Sequence, residues 1–382
     1  MLTPISISLP RAKSIVIRSL IVNYIRTGTL LPVFDHDPND IRVVYNALKV
    51  IDSQKKATVG EGSVVDVEDC GAAYRFLMAL LAVTPGNWLL TGTSRLLERP
   101  IFPLVNFLIK HGADIKKTEK GWNIKGAALQ IDNIEIDTSE TSQYVSAVMM
   151  LCENSKFKIQ NSKLLFAAGS TAIERSPYIR MTQAILQEQE LFHSHLLNLA
   201  DWSAAVFWMA DALLKPNANY LLKDLHFDKL QGDADIVPWF IKCGLSFVEN
   251  EVGIEVHHIK HIEITKEQID LAYTPDIAMV LATLAVCYPF ELTLYGLKNL
   301  NLKESNRLDI LVNELSKFTK IVKYSENKIT IYKRIKDLPK EFYFDSYNDH
   351  RFVMAWSLFK NYGNVNIKNP DCIKKSYPIF KS

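Results

Sequence analysis

The chain has 382 residues, of which 48% are hydrophobic, so it is too long for one ordinary core and suits two domains of moderate size. Lysine and arginine total 44 against 42 acidic residues, which excludes the strongly basic or acidic surface of proteins that bind nucleic acid or anionic membranes. The longest apolar stretch, residues 278–290, is shorter than the roughly 20 residues that a membrane-spanning helix needs, so we expect no membrane partner either.

Short β-rich runs alternate with amphipathic helical patterns along the chain. In the first half the pattern predicts a strand over residues 88–91, a helix over 102–111 and a strand over 113–115. The same order returns later, with a helix, a strand and a helix predicted over residues 278–287, 290–295 and 307–318. Such alternation indicates an α/β fold rather than an all-helical or all-β one.

A domain boundary is predicted near residues 198–203, where a polar stretch ends and a helix over 204–214 begins after a cap at Asp201 or Ser203. We therefore expect one domain over residues 13–200 and a second over 201–382. Periodicity alone leaves open to which of them residues 1–12 belong.

The first candidate anion site lies at the start of the chain, where an apolar helical run over residues 15–25 follows Lys13 and Ser14. Ser14 is placed as the helix cap, and Lys13 lies beside the positive end of the helix. Arg18 lies one turn further on, so three donors can converge on a phosphate or carboxylate. Taken alone, these residues are more often simply the start of a capped surface helix.

A second polar segment, residues 137–143, stands directly ahead of an apolar helix predicted over 144–151. Thr141, Ser142 and Gln143 can cap that helix and also present hydroxyl and N–H groups to an anion. Taken alone, the segment reads as a capping sequence.

A charged cluster follows in the second half. Lys303, Glu304 and Arg307 share one helical face if a helix begins at or just before Lys303, which places an acid between two cations. A flanking cation can hold a carboxylate ready for proton transfer, although a solvated ion-pair ladder is the commoner meaning. Asp276 precedes a strongly apolar helix and can likewise be an N-cap only.

Arg351 ends the segment Asn348–Arg351, which precedes an apolar helix predicted over residues 352–359. A cation at the positive end of a buried helix is electrostatically unfavourable, and an anionic ligand would resolve the conflict. The histidines of residues 257–261 lie in a run that alternates like an exposed strand, and we expect no metal there.

The order of these motifs resembles the 5-enolpyruvylshikimate-3-phosphate synthase family of enolpyruvyl transferases, over nearly the whole chain. The resemblance rests on the following residues: Lys13-Ser14 with Arg18, 69–75, Glu98-Arg99-Pro100, Thr141-Ser142-Gln143, 176–178, Pro275-Asp276, 303–307, 348–351 and 375–378. It implies an α/β (α+β) fold of two similar domains, each built from repeated βαβαββ units, with the active site in the interdomain cleft. It also implies that residues 1–12 join the second domain.

The resemblance further implies an enzyme of the shikimate pathway that transfers the enolpyruvyl group of phosphoenolpyruvate to the 5-hydroxyl of shikimate 3-phosphate. Asp276 is the implied base, Glu304 the acid that protonates C3, and Lys13 a catalytic cation. The residues implied for phosphoenolpyruvate are Lys13, Gly71, Arg99, Gln143, Arg307, Arg351 and Lys375. Those implied for shikimate 3-phosphate are Lys13, Ser14, Arg18, Thr141, Ser142, Gln143, Asp276, Asn299 and Lys303, with Arg175 where the family has a serine.

The family requires no metal and no cofactor, and its members suggest a monomer. Five scattered cysteines without a CxxC spacing fit reduced thiols in the cytoplasm.

Several positions depart from the family pattern, among them Ile17, Ala72 and Arg175. They leave room for a non-catalytic relative that binds anions. A third interpretation is the related enzyme that acts on UDP-N-acetylglucosamine. That family has Lys-Asn in place of Lys13-Ser14 and a reactive loop cysteine, whereas this chain has no cysteine between Cys70 and Cys152.

Overall fold

The computed structural model describes residues 3–55, 63–131, 136–137, 139–151 and 176–381. The chain divides into two compact units, which we call the N-terminal unit (Lys13–Leu197) and the C-terminal unit (Met1–Ala12 with Asn198–Ser382). The boundary predicted from the sequence falls after residue 200, close to this division after Leu197.

Helices and strands alternate in both units. The α-helices are α1 (Lys13–Thr27), α2 (Asn39–Lys55), α3 (Gly71–Val83), α4 (Ser94–Leu97), α5 (Phe102–Lys110), α6 (Gln143–Leu151), α7 (Pro177–Gln187), α8 (Trp202–Leu214), α9 (Val237–Lys242), α10 (Ala278–Cys287), α11 (Arg307–Leu315) and α12 (His350–Ser357). The strands are β1 (Ile5–Ser8), β2 (Ser63–Asp66), β3 (Gly86–Thr91), β4 (Asp114–Thr118), β5 (Gly121–Gly126), β6 (Asn219–Lys223), β7 (Leu245–Asn250), β8 (Gly253–His258), β9 (Lys266–Asp270), β10 (Glu291–Tyr295), β11 (Ile321–Ser325), β12 (Lys328–Ile331), β13 (Glu341–Asp345) and β14 (Asn364–Lys368).

One supersecondary pattern occurs three times among the described residues. In the N-terminal unit, β2, α3, β3, α5, β4 and β5 follow one another and form a sheet of order β2-β3-β5-β4. In the C-terminal unit, β9 to β12 repeat that order around α10 and α11, and β1, β6, β8 and β7 repeat it around α8 and α9. In each sheet the first two strands are parallel and the others antiparallel. The expected βαβαββ units and the mixed α/β class are therefore confirmed.

The N-terminal strand belongs to the C-terminal unit. Strand β1 pairs in parallel with β6, with Ile5 opposite Tyr220 and Ser8 opposite Lys223. The backbone N–H of Ala12 then donates to the carbonyl of Leu199 at 2.8 Å. The chain thus runs along the C-terminal unit until it enters α1.

Two helices of the C-terminal unit, α8 and α10, are apolar and almost completely buried. Every residue of α10 is buried, and so is nearly every residue of α8. A helix that is hydrophobic on all sides lies inside a core. Packing on every side therefore fixes the position of these two helices, including their first turns. The predicted helix over residues 278–287 is confirmed at both ends. No helix among the described residues is both long and apolar enough to cross a bilayer.

Candidate active site

The centre of the charged cluster in the C-terminal unit is the guanidinium of Arg307, whose side chain is only 1% exposed. Its Nε donates to Asp349 Oδ2 at 2.8 Å, and its Nη1 donates to Asp276 Oδ1 at 2.8 Å. Nη2 donates to Glu304 Oε2 at 2.8 Å and to Asp349 Oδ1 at 3.1 Å. One buried cation therefore holds three carboxylates, two of which, Asp276 and Glu304, were predicted for proton transfer.

Helix α11 begins at Arg307, as does the helix predicted over residues 307–318, and it ends earlier, at Leu315. Residues 303–306 form the turn ahead of it. A shared helical face of Lys303, Glu304 and Arg307 required a helix that begins at or just before Lys303, and this condition is not met. Arg307 binds Asp349 from the start of the helix. The turn still brings Glu304 back to the Arg307 guanidinium.

Asp349 is the buried anchor of the cluster and has no exposed surface. It caps helix α12 by accepting from the backbone N–H of Arg351 at 3.0 Å, and it accepts from the hydroxyl of Ser305 at 2.9 Å. A carboxylate at a helix N-terminus is favoured by the helix dipole. Its charge also resolves the conflict that the sequence raised for the cation at this helix end.

Three further cations surround the two half-buried carboxylates. Lys303 Nζ lies 3.5 Å from Asp276 Oδ1, and Arg351 Nη2 lies 3.6 Å from Asp276 Oδ2. Lys375 Nζ lies 3.8 Å from Glu304 Oε1. Within the described part of the chain, Nε of Arg351 is buried without a hydrogen-bond partner, which is the kind of donor that an anionic ligand satisfies.

The charges in this cluster act strongly on one another. Burial alone would raise the pKa of Asp276, but the cations around it outweigh burial and hold that pKa well below its usual value. Those cations are Lys303, Arg307 and Arg351. Burial alone would lower the pKa of Arg307, but its three carboxylate partners outweigh burial and raise that pKa above its ordinary value. Both groups are therefore ionised at neutral pH.

A fourth carboxylate, Asp233, lies near the same cluster and behaves differently. It is 6% exposed and accepts from the hydroxyl of Ser203, close to the start of α8. Burial, with a smaller contribution from the neighbouring Asp276, raises the pKa of Asp233 to about 7, although Ser203 and Arg351 oppose the rise. Asp233 therefore titrates near neutral pH.

The N-terminal unit holds a second set of cations, of which Arg18 is the most deeply buried at 2% exposed. Its Nε donates to the hydroxyl of Thr182 at 2.8 Å, and its Nη2 lies 3.4 Å from that of Ser146. The ring of Phe76 packs against the guanidinium at 5.0 Å. Burial lowers the pKa of Arg18 to about 10. Among the described residues no carboxylate lies within ion-pairing distance of this cation, which is typical of a site awaiting an anion.

Lys13 and Ser14 are placed at the start of α1, although Ser14 does not cap it. The helix begins at Lys13, directly after the backbone segment that the Ala12–Leu199 hydrogen bond and the Arg11–Ala200 bridge tie to the C-terminal unit. The predicted cap at Ser14 is therefore wrong, and its carbonyl instead accepts from Arg18 Nη1 at 2.8 Å. Lys13 Nζ binds Asp40 Oδ2 at 2.9 Å.

Gly71 and Arg99 are in direct contact. A Cβ added to Gly71 would lie 2.5 to 2.8 Å from the terminal guanidinium atoms of Arg99. Only a glycine lets the guanidinium lie this close to the N-terminus of α3. Both residues were predicted to hold phosphoenolpyruvate, and the structure brings these two together.

The segment Thr141 to Gln143 forms the start of α6. The Thr141 hydroxyl accepts from the backbone N–H of Gln143 at 3.2 Å, and Ser142 accepts from Ser146 through its carbonyl at 3.2 Å. The side-chain oxygen of Gln143 accepts from Arg75 Nη1 at 2.8 Å. All three predicted residues are partly exposed, as contact with a ligand requires.

Comparisons with known proteins agree on one family. The family described as EPSP synthase (3-phosphoshikimate 1-carboxyvinyltransferase) matches residues 40–382. The chain belongs to the EPSP synthase family. Among its relatives, the 3-phosphoshikimate 1-carboxyvinyltransferase of Bacteroides fragilis is 30% identical over 98% of this chain and 93% of its own length. The protein of that name from Haemophilus influenzae is 28% identical over 99% and 96%. The resemblance inferred from the motif order is thus confirmed.

Solved structures of the EPSP synthase family and its kin share this fold. EPSP synthase from Acinetobacter baumannii has a TM-score of 0.65 at 16% identity and covers 98% of this chain and 93% of its own. The enolpyruvyl transferase NikO from Streptomyces tendae has a TM-score of 0.65 at 11% identity, with coverage of 99% and 92%. At these identities the likeness establishes the fold alone.

In the C-terminal unit the structure brings most of the predicted residues together. Lys303, Arg351 and Lys375 lie beside Asp276 or Glu304, which Arg307 holds, and Asn299 precedes the short turn that leads to Lys303. In the N-terminal unit the structure shows contacts between Ser14 and Arg18 and between Gly71 and Arg99. Arg175 lies outside the described residues. The prediction at that position therefore has no structural counterpart here.

Sequence reasoning assigned no role to several polar residues that hold the predicted ones. Each carries a carboxylate, a guanidinium or a hydroxyl: Asp349, Asp40, Arg75, Ser146 and Thr182. The segment before α12 gave a usable signal, because an aspartate directly ahead of an apolar helix is a frequent cap. The hydroxyls of Ser146 and Thr182 gave no such signal, since their hydrogen-bond partners are 36 to 164 residues away in the chain.

Proposed function

We propose that this protein is a 3-phosphoshikimate 1-carboxyvinyltransferase, which transfers the enolpyruvyl group of phosphoenolpyruvate to the 5-hydroxyl of shikimate 3-phosphate and releases phosphate. The names of its relatives support this activity, and the family model spans most of the chain. The reaction would serve the shikimate pathway to aromatic amino acids. A monomer in the cytoplasm, with no nucleic-acid or membrane partner, is part of the same proposal.

The observation that carries the proposal is the pair of carboxylates held by one buried guanidinium. Asp276 and Glu304 bind different nitrogens of Arg307 and keep 18% and 13% of their side chains exposed. Two accessible carboxylates in fixed positions suit a reaction that needs both an acid and a base. The cations around them suit substrates that each carry a phosphate and a carboxylate.

The allotment of residues to substrates follows the family. We propose that the C-terminal cluster binds the phosphoenolpyruvate carboxylate through Arg307 and Arg351, and that Lys375 binds its phosphate. In the N-terminal unit, Gly71, Arg99, Gln143 and Lys13 would complete the phosphoenolpyruvate site. The residues proposed for shikimate 3-phosphate are Lys13, Ser14, Arg18, Thr141, Ser142, Gln143, Arg175, Asp276, Asn299 and Lys303.

In the first step Asp276 takes the proton of the 5-hydroxyl, the hydroxyl oxygen bonds to C2 of phosphoenolpyruvate, and Glu304 gives a proton to C3. In the second step Glu304 takes a proton back from C3, the C2–O bond to phosphate breaks, and the enolpyruvyl double bond forms again. The departing phosphate accepts the proton that Asp276 took from the 5-hydroxyl, and Lys13 and Lys375 would steady it by charge. Both carboxyl groups thus return to their starting protonation states.

The cations around Asp276 make its basicity depend on the substrates. Without ligands they hold the pKa of Asp276 far below its usual value, and such a carboxylate is a weak base. Bound phosphate and carboxylate groups offset the charge of Lys303 and Arg351, which raises the pKa of Asp276 toward the working pH. The base would therefore become effective only once the substrates are bound.

Two departures from the family pattern, Ile17 and Ala72, lie among the described residues and are compatible with this proposal. Ile17 is 1% exposed and packs into the core of the N-terminal unit, so a hydrophobic side chain there leaves the ligand-facing residues in place. Ala72 is partly exposed one position after Gly71, where it changes the edge of the phosphoenolpyruvate site. Neither the non-catalytic relative nor the UDP-N-acetylglucosamine enzyme has a specific observation in its favour.

The test is phosphate release from purified protein given phosphoenolpyruvate, shikimate 3-phosphate or both. We expect release only with both substrates, and a loss of at least about a hundredfold in Glu304→Gln, since an acid–base group contributes that much. Glu263→Gln is the matched control, because this glutamate side chain is 78% exposed. Release without shikimate 3-phosphate, or full activity in Glu304→Gln, would overturn the proposal.

A further inference from the structure

Arg75 lies in the second turn of α3 and is 4% exposed, yet it has no role in the site as inferred from the family. Its Nη1 donates to the carbonyl of Gly71 at 3.1 Å and to Gln143 Oε1 at 2.8 Å. Its Nη2 donates to the carbonyl of Pro100 at 3.0 Å. One side chain thus connects the start of α3, the start of α6 and the segment ahead of α5.

Each of these three contacts falls on, or next to, a residue proposed to bind phosphoenolpyruvate. Gly71 and Gln143 are two of them, and Pro100 directly follows Arg99, the third. Arg99 in turn lies against the Cα of Gly71. The guanidinium of Arg75 therefore contacts all three segments that supply phosphoenolpyruvate residues in this unit, namely α3, α6 and the Arg99 segment.

The contact with Gln143 decides which end of its amide is available to a ligand. A guanidinium can only donate hydrogen bonds, so the group of Gln143 that faces Arg75 has to be the carbonyl oxygen. The amide NH₂ of Gln143 then points away from Arg75, and among the described residues it finds no acceptor. A partly exposed donor in that orientation suits a phosphate or carboxylate oxygen.

We infer that Arg75 is a positioning residue for phosphoenolpyruvate binding, which turns the Gln143 amide so that its NH₂ group faces the anionic substrate and fixes the Arg99 segment beside it. The inference rests on the proposed function. Arg75 itself needs no contact with the substrate. It acts through residues that have such contact.

Arginine is the residue that this geometry requires. Its planar group reaches the Gln143 oxygen and the Pro100 carbonyl from two different nitrogens, whereas a lysine offers one nitrogen on a flexible stem. The ring of Tyr144 lies 5.7 Å from the guanidinium carbon and helps to hold it in place. Lysine at this position would keep the charge and lose the bridge.

The test is a double-substitution cycle of Arg75→Met and Gln143→Ala, read as the KM for phosphoenolpyruvate in the phosphate-release assay. We expect Arg75→Met to raise this KM about tenfold, as loss of an oriented hydrogen bond to a charged group does, and to raise it far less in the Gln143→Ala background. A purely structural role would reduce the active fraction, which lowers kcat and leaves KM unchanged.

Arg334→Met is the matched control, because Arg334 also donates to a backbone carbonyl, that of Val286, but in the C-terminal unit. If Arg75→Met fails to fold, Arg75→Lys takes its place in the cycle, with the same expected rise in KM. An unchanged KM in Arg75→Met, or an equal rise in the wild-type and Gln143→Ala backgrounds, would overturn the inference about Arg75. The proposed function would stand in that case, provided the wild-type protein is active. A wild-type protein that releases no phosphate from the two substrates would overturn both.

Discussion

Replacing Gly71 with alanine acts on Arg99 rather than on the fold. The new Cβ would lie 2.5 Å from Nη1 and 2.7 Å from Cζ of Arg99, whereas ordinary contacts begin at 3.4 Å. The guanidinium therefore has to retreat by about 0.9 Å, the difference between 3.4 and 2.5 Å. Because Gly71 has no positive φ and opens helix α3, alanine causes no backbone strain and improves helix propensity by up to about 1 kcal/mol.

A retreat of this size is enough to break a hydrogen bond between Arg99 and a bound anion. A bond of about 2.9 Å stretched by this amount exceeds the range in which hydrogen bonds contribute. Bonds to charged groups contribute about 1.5 to 3 kcal/mol, which corresponds to a loss of affinity of roughly 10- to 100-fold. We expect the KM for phosphoenolpyruvate to rise by that factor, and the KM for shikimate 3-phosphate by less than about threefold.

Steady-state kinetics with each substrate varied in turn measures both constants, and thermal unfolding checks that the Tm does not fall. The same substitution in an Arg99→Ala background provides the control, since an effect that travels through Arg99 disappears when Arg99 is absent. An unchanged KM for phosphoenolpyruvate in a well-folded Gly71→Ala protein would refute the reasoning. An equal rise in both backgrounds would refute it as well.

Three further substitutions test the two clusters. Asp349→Asn removes the charge that balances buried Arg307 and should lower the free energy of unfolding by about 3 to 5 kcal/mol, seen as a lower urea midpoint. Asp233 has a pKa of about 7 in the folded protein, above its unfolded value of 3.8. Its contribution to the free energy of unfolding is therefore fully present below pH 4 and is lost as pH rises through 7. The whole loss amounts to about 4 kcal/mol, of which about 3 kcal/mol falls between pH 5 and pH 8, and Asp233→Asn should therefore flatten the difference between the urea midpoints at these two pH values. Thr182→Val removes the hydroxyl that holds Arg18 Nε and should weaken shikimate 3-phosphate binding about tenfold in calorimetry, with unchanged affinity counting against the assignment.

The fold was predictable because its signals are local. Alternating strand and helix patterns indicated the α/β class, and the apolar run at 278–287 matched α10 at both ends. The start of α1 was predicted less well. This helix begins at Lys13 and has no cap at Ser14, and the backbone just ahead of it is held by Leu199, a partner far along the chain.

The candidate site was predictable in its charged residues but not in what holds them. Clustered cations and acids stand out in a sequence, because a buried charge has to be compensated by a partner or a ligand. The groups that orient them do not, since Thr182 or Arg75 reads as an ordinary helix residue until the fold brings it to Arg18 or Gln143. Long-range hydrogen bonds therefore account for most of what the sequence left unassigned.

The two clusters also show how the protein keeps many like charges close together. Arg307 is balanced by three carboxylates, whereas Arg18 is surrounded only by hydroxyls, a carbonyl and aromatic rings among the described residues. The first arrangement stabilises the folded chain without a ligand, and the second leaves a cation whose charge an anion can offset. Substrate binding should therefore stabilise the N-terminal unit more than the C-terminal one.

Phosphate release alone does not distinguish a transferase from a phosphatase. The most direct test of enolpyruvyl transfer therefore follows the carbon atoms of phosphoenolpyruvate. Protein mixed with shikimate 3-phosphate and carbon-labelled phosphoenolpyruvate should yield labelled enolpyruvylshikimate 3-phosphate, in equal amount to the phosphate released, by mass spectrometry. Label that stays in phosphoenolpyruvate, or that appears as free pyruvate, would contradict enolpyruvyl transfer by this protein.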